Sequence, residues 1–218
     1  MRTLICATLG TLLIGVMSAF AVDAFHEPLI QEIQALHEKA EKGDKQATRE
    51  LIERLEALHK EKPDNHLIFA YLGSAYTLAS RDAFPGPQKL EYLKNGLKTM
   101  DLAVDADPKH IPTRFIRAVN NFNLPAFINR RDNARADFEI LVNQIKDPAV
   151  ELDPPTRQAI YYFAGLSFKQ LRRKEEARST WQAGLNLNLD TEITAKITEE
   201  LKKLTPDRPL NERSTTPR

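Results

Sequence analysis

Cysteine is nearly missing from this chain: Cys6 is the only one in 218 residues. A disulfide framework is therefore excluded, and the fold has to be held by packing. Glycine is scarce as well, with eight residues, which argues against a sheet-rich protein full of tight turns. Charge of one sign is also lacking, since 31 Lys and Arg stand against 30 Asp and Glu. Nucleic acids and anionic membranes are normally approached with a clear basic excess, so neither is expected as a partner. The usual catalytic signatures are missing too: there is no phosphate-binding loop, Gly-x-Ser-x-Gly elbow, His-Glu-x-x-His pair or Cys-x-x-Cys. Gly165-Leu166-Ser167 comes nearest to a nucleophile elbow, but it falls inside a helical pattern with Lys169 where the last glycine belongs. No enzyme activity, no cofactor and no metal site is expected. Four of the five histidines, His26, His37, His59 and His66, lie in the first third of the chain. None are spaced to share one helix face, and they read as solvated surface groups rather than metal ligands.

What is present begins with MRTLICATLGTLLIGVMSAFA, residues 1 to 21. Arg2 supplies a basic start, Leu4 to Met17 an apolar run, and Ala19-Phe20-Ala21 a small-x-small cleavage site. This is the layout of a secretory signal, and removal after Ala21 is expected. A retained anchor helix is the alternative, but Thr8, Gly10, Thr11 and Gly15 interrupt the run, which is short for a ~30 Å hydrocarbon core. Cleavage takes away Cys6 and Arg2, leaving a chain with no thiol and with basic and acidic residues in equal number. Cys6 is too far from the cut to carry a lipid. The mature protein is expected outside the cytoplasm, periplasmic or secreted, with no membrane span.

The rest of the composition is that of a globular chain, 42% hydrophobic and 28% charged. From Glu27 onward apolar residues recur at helical spacing, as in Ile33 and Leu36 and then Leu51, Ile52, Leu55 and Leu58. Lys42-Gly43-Asp44-Lys45 reads as a turn, and Pro63 ends the second helix. Residues 27–62 thus form a helical hairpin.

A repeat follows. Tyr161, Ala164, Gly165 and Phe168 share one helix, and Ala177, Trp181 and Gly184 the next, with twelve residues from Gly165 to Ala177. Phe69, Leu72, Gly73 and Tyr76 carry the same signature, as do Gly96, Met100 and Ala103 followed by Pro108. Here the spacing exceeds the first by eleven residues, and SRDAFPGPQKL is expected to form an enlarged loop at Phe84-Pro85-Gly86-Pro87. Ala118, Ala134, Phe138 and Leu141 belong to a third pair, with Leu124-Pro125-Ala126-Phe127 inserted at its turn. These residues resemble the tetratricopeptide repeat family over about residues 65–189. The resemblance implies an all-α, right-handed solenoid of antiparallel helix hairpins of about nine helices, with residues 27–62 as a degenerate first hairpin. It also implies small residues where paired helices approach closely. A stripe of Ile193, Ile197, Leu201 and Leu204 marks a final capping helix within 190–204, and residues 205–218 read as a disordered, proline-rich tail.

The resemblance further implies a non-enzymatic scaffold whose concave groove, lined by the first helix of each hairpin, holds a protein or peptide. Carried over by position, Phe115, Val119, Phe122, Tyr162, Leu166 and Lys169 face that groove. The most unusual stretch is RFIRAVNNFNLPAF, residues 114–127. With Ala118 at the small-residue position, Arg114, Arg117 and Asn121 fall on one stripe that normally packs against neighbouring helices. An arginine does not shed its proton, so a buried guanidinium there needs a partner. Asp101, Asp105 or Asp137 can supply it internally. Alternatively an anionic small molecule is gripped by Arg114 or Arg117 with Asn120 or Asn121, under the Pro85 and Pro125 turns, as in a transport accessory protein.

Overall fold

A computed structural model describes residues 27–204; the expected signal and the C-terminal tail lie outside the described residues. Among the described residues there are nine α-helices and no strand. They are α1 (Glu27–Glu41), α2 (Lys45–Glu61), α3 (His66–Asp82), α4 (Pro87–Ala106), α5 (Ile111–Asn123), α6 (Arg131–Gln144), α7 (Pro154–Gln170), α8 (Lys174–Leu185) and α9 (Glu192–Lys203), with a 3-10 turn at Ala126–Ile128. None of these helices is long and apolar enough to cross a membrane.

Local chemistry sets the boundaries. Asp44 accepts from the Gln46 and Ala47 amides at the start of α2, Asn65 from Ile68 at α3, Asp153 from Thr156 at α7, and Thr191 from Thr194 at α9. Each side chain satisfies an amide that has no partner within its helix. Gly43 ends α1 at φ +94°, a backbone state that costs glycine nothing. Proline stands in the first turn of α4, α5 and α7, where its missing N–H is harmless.

Short connections fold each helix back against its predecessor. The odd-numbered helices also touch in sequence, α1 on α3, α3 on α5, α5 on α7 and α7 on α9, so they make a continuous row against which the even-numbered helices lie. Leu55, Ile68, Met100, Phe115, Phe138 and Trp181 are fully buried between the two. Phe115 meets Phe138 and Phe163 edge-on at ring-centre distances of 6.5 and 5.9 Å, which links α5 to α6 and α7.

The enlarged loop expected at residues 84–87 does not form. The α3–α4 connection is only Ala83 to Gly86, and the additional residues are helical turns at the end of α3 and the start of α4. Lys89 Nζ donates to the carbonyls of Ser80, Arg81 and Ala83 at 2.6, 3.1 and 3.4 Å, and Ser80 Oγ donates to Lys89 O at 2.9 Å. These bonds satisfy the last carbonyls of α3 and fasten it to the first turn of α4. The other insertion remains a connection, Leu124 to Arg130, containing the 3-10 turn and a left-handed Asn129.

Two helix pairs rest on glycine contacts. A Cβ on Gly96 would stand 2.7 Å from Gly73 O and 2.8 Å from Thr77 Cγ2, and one on Gly73 would stand 2.9 Å from Gly96 O, so α3 and α4 meet backbone to backbone. A Cβ on Gly165 would fall on the indole of Trp181, whose Nε1 donates to Tyr162 O at 3.0 Å. Gly184 is less constrained, since its nearest neighbour is the terminal Cδ1 of Ile197 at 3.0 Å. Gly96→Ala is therefore expected to lower stability by about 2 kcal/mol through backbone displacement. Gly184→Ala, aided by alanine's better helix propensity, is expected to lower it by less than ~1 kcal/mol. Denaturant midpoints of the two variants check the order.

Candidate functional site

The two unusual arginines are held inside the protein. Arg114 is 6% exposed, and its Nη1 donates to Asp137 Oδ1 at 2.7 Å while its Nη2 donates to Pro108 O at 2.5 Å. Arg117 grips the same carboxylate with two hydrogens, Nε to Oδ2 at 2.9 Å and Nη2 to Oδ1 at 2.7 Å. Its Nη1 reaches Asp101 Oδ1 at 3.3 Å, where Arg130 Nη2 also donates at 2.5 Å. Burial works to lower the Arg117 pKa, but the Asp137 hydrogen bonds and the charges of Asp137, Asp101 and Asp105 outweigh it, and the net shift is upward. Asp137 itself is 1% exposed. The cluster joins α4, α5 and α6.

The other residues singled out from the sequence separate. Asn121 is buried and accepts from Arg130 Nε at 3.1 Å, which places it in the arginine cluster. Asn120 turns the opposite way, accepting from Thr77 Oγ1 at 2.8 Å and donating to Ile116 O at 2.9 Å. The expectation that Phe115 and Tyr162 face an open groove is corrected, because both are buried. Phe115 is held among Phe138 and Phe163, and Tyr162 packs edge-on against Phe163 with 5.3 Å between ring centres. Phe122 is half-buried against Phe138. Lys169 pairs with Glu200 and stands 5.9 Å from the centre of the Trp181 ring, so α9 covers it. The large rings on these helix faces are needed to fill the row, and α9 closes its end.

The open space lies elsewhere. A cavity of about 410 Å³ opens between α3, the start of α4, the end of α5 and the turn after it. Leu78, Leu90, Leu93, Val119, Leu124, Pro125, Phe127 and Ile128 supply most of its wall, with Ser74, Thr77, Ser80, Asn120 and Asn123 between them. Glu41, Arg81 and Lys89 complete it. The volume is that of an ordinary small-ligand or side-chain pocket. At its mouth Leu90 is 66% and Phe127 84% exposed, and Phe84 on the neighbouring connection is 85% exposed. These large apolar groups stand in water, as on surfaces that make contacts in other proteins. Of the residues chosen from the sequence for a groove or an anion site, Val119 and Asn120 line the cavity, together with Pro125 of the expected covering turn. Leu90, Leu93 and Glu41 were not singled out; a helical pattern leaves them looking like ordinary surface positions.

Behind the cavity wall sits a buried polar pair. His37 is 1% exposed, contrary to its reading as a solvated residue. It shares the stripe of Ile33 and Ala40, which faces α3. Burial, helped by the nearby Arg81 charge, lowers its pKa to about 4. Burial also raises the Glu41 pKa to about 8 against the attraction of Arg81. His37 Nδ1 approaches Glu41 Oε1 at 3.5 Å, and Glu41 Oε2 has no hydrogen-bond partner among the described residues. Among the described residues no three His, Cys, Asp or Glu side chains gather as metal ligands. No protein-family model, curated protein or solved structure matches the chain.

Two expectations follow from these buried charges. Asp137→Asn keeps the shape and removes the charge that compensates Arg114 and Arg117, so a loss of about 3–5 kcal/mol is expected. Asp105→Asn, at an exposed position, should cost little, and chemical denaturation of the two variants makes the comparison. The His37–Glu41 pair sets a pH window. With unfolded values of 4.5 for Glu and 6.5 for His, folded and unfolded states each hold one proton on the pair between those pH values, and stability is level. Above 6.5 the unfolded chain has released both protons while folded Glu41 keeps its own until about 8, so stability falls with rising pH. Below 4.5 the unfolded chain holds both while folded His37 stays neutral until about 4, so stability falls with falling pH. Glu41→Gln is expected to flatten the alkaline decline, as read from melting temperatures at pH 6 and 8.5.

Proposed function

We propose that this chain is an exported, non-enzymatic adaptor of tetratricopeptide-like build, a right-handed solenoid of helix hairpins, which holds a protein or peptide partner by apolar side chains seated in the α3–α4–α5 cavity. The observation that carries the reading is the cavity itself, apolar along most of its wall, with Leu90 and Phe127 of that wall largely exposed. Support for the repeat architecture comes from the unbroken row of odd-numbered helices and from glycine at the tight contacts of α3 with α4 and of α7 with α8. The signal-like residues 1–21 support export to the periplasm or beyond. The balanced charge favours a partner met through apolar contact rather than through long-range attraction.

The cavity lies largely on α3 and α5, the first helices of their hairpins, and takes in Val119, one of the residues that the repeat resemblance assigns to the groove. A second reading, an anionic solute bound by Arg114 and Arg117, is disfavoured because both guanidinium groups donate to Asp137, Asp101 and Pro108 O, and the Arg114 Nε that has no partner among the described residues is buried. The test uses the mature chain, beginning at Val22, as bait in extracts of its native envelope, beside a Leu90→Asp/Phe127→Ser variant. A partner retained by the first and lost by the second, at equal melting temperature, is the expected result. A partner held equally by both defeats the cavity as its seat.

A further inference from the structure

The α3–α4–α5 cavity calls for an apolar, uncharged occupant. Arg81 gives its hydrogens to Ala40 O at 2.6 Å, Glu41 O at 3.0 Å and the Asp82 carboxylate at 2.7 and 2.9 Å. The Lys89 ammonium is held by three carbonyls. The Glu41 side chain is 8% exposed, and burial raises its pKa to about 8, so the carboxyl is largely neutral at pH 7. Ser74, Thr77 and Asn120 are bonded to one another, and Ser80 to Lys89 O. A charged occupant would give up its hydration here and find no free opposite charge in return.

The chain carries an occupant of that kind at the rim. Phe127 belongs to the cavity wall yet is 84% exposed, so its ring stands at the edge of the space and leaves most of itself in water. It lies in residues 118–129, twelve positions without a charged side chain in a chain that is 28% charged. The next residue, Arg130, is committed to Asn121 and Asp101. The opposite lip is uncharged as well, since residues 83–88 hold no ionisable group and Lys89 beyond them is bound. Phe127 and its span can therefore enter such a mouth without stripping water from any charge. A projecting ring and a hollow on one patch meet the requirement of a two-fold pair, in which the same surface of each copy faces the other. A formal net charge of only +1 opposes such self-association little.

We infer that the occupant of the cavity is Phe127 of a second copy of this chain, in a reciprocal two-fold pair. The inference rests on the cavity being the partner's seat and names the partner. An aromatic side chain buries about 150–250 Å², so Phe127 at 84% exposure loses on the order of 170 Å² on insertion and covers a similar area of the opposing wall. With Leu90 included, the contact amounts to roughly 900 Å² over both copies, below the ~1,200 Å² of a firm complex and in the range of weak, reversible ones. The pair is therefore concentration-dependent.

The test is sedimentation velocity of the mature chain from about 1 to about 300 µM, a range that brackets the micromolar and weaker affinities of contacts this small. The unaltered chain is expected to pass from monomer toward dimer, and Phe127→Ser, with an unchanged melting temperature, to stay monomeric. A second measurement needs no variant: in an equal mixture of methyl-labelled and unlabelled copies, isotope-filtered NMR is expected to show contacts from the Val119 methyls to an aromatic ring of the other copy. A chain that is monomeric throughout, a dimer that Phe127→Ser leaves intact, or a dimer without those contacts overturns the inference. If the chain is monomeric while envelope extracts yield a different protein that the Leu90→Asp/Phe127→Ser variant releases, the inference falls and the cavity reading stands. If it is monomeric and the cavity retains nothing, both fall together.

Discussion

A single carboxylate inside the protein, that of Asp137, fixes how three helices meet. Two guanidinium groups from α5 close on this residue of α6, and the second of them reaches on to Asp101 of α4, where Arg130 arrives from beyond the turn. Each of these charges would be costly alone in such a place, and together they tolerate only a narrow set of helix positions. Because α4 and α5 are two of the walls of the cavity, the arginine cluster sets its width from behind.

Apolar packing alone would not define that geometry. Rings such as Phe115 and Phe138 fill space and tolerate sliding, whereas bidentate hydrogen bonds to one carboxylate do not. The glycine contact between α3 and α4 does for the third wall what Asp137 does for the other two, by bringing backbone against backbone. Only the segment from Leu124 to Arg130 borders the cavity without belonging to an α-helix.

Much of the helical architecture was readable from local signals: 3.6-residue periodicity, the turn at Gly43 and Pro63 after the second helix. The arginine cluster was half legible. A charge on a packing stripe demands an opposite charge nearby, which pointed to Asp101, Asp105 or Asp137, and Asp101 and Asp137 accept the bonds, but nothing local connects Arg130 to Asp101 across 29 positions of sequence. Spacing showed that residues had been added near position 84, yet counting cannot tell a longer loop from longer helices. The ammonium of Lys89 on the carbonyls of α3 decided that. His37 was misread because its type suggested surface, although Ile33 and Ala40 on the same stripe signalled burial. The cavity itself arises where three helices fail to fill a space, and no one-dimensional pattern records such a gap.

The fastening of Lys89 across the end of α3 makes the two sides of the cavity mouth unequal. On one side, ammonium and hydroxyl bonds weld helix to helix, so a change of shape there disturbs the scaffold. On the other, a seven-residue span carries Pro125 and Phe127, and its last residue, Arg130, ties it to the helices through Asp101 and Asn121. Variation in bulk between Leu124 and Ile128 would re-cut the aperture, and with Arg130 held in place the frame would keep its form.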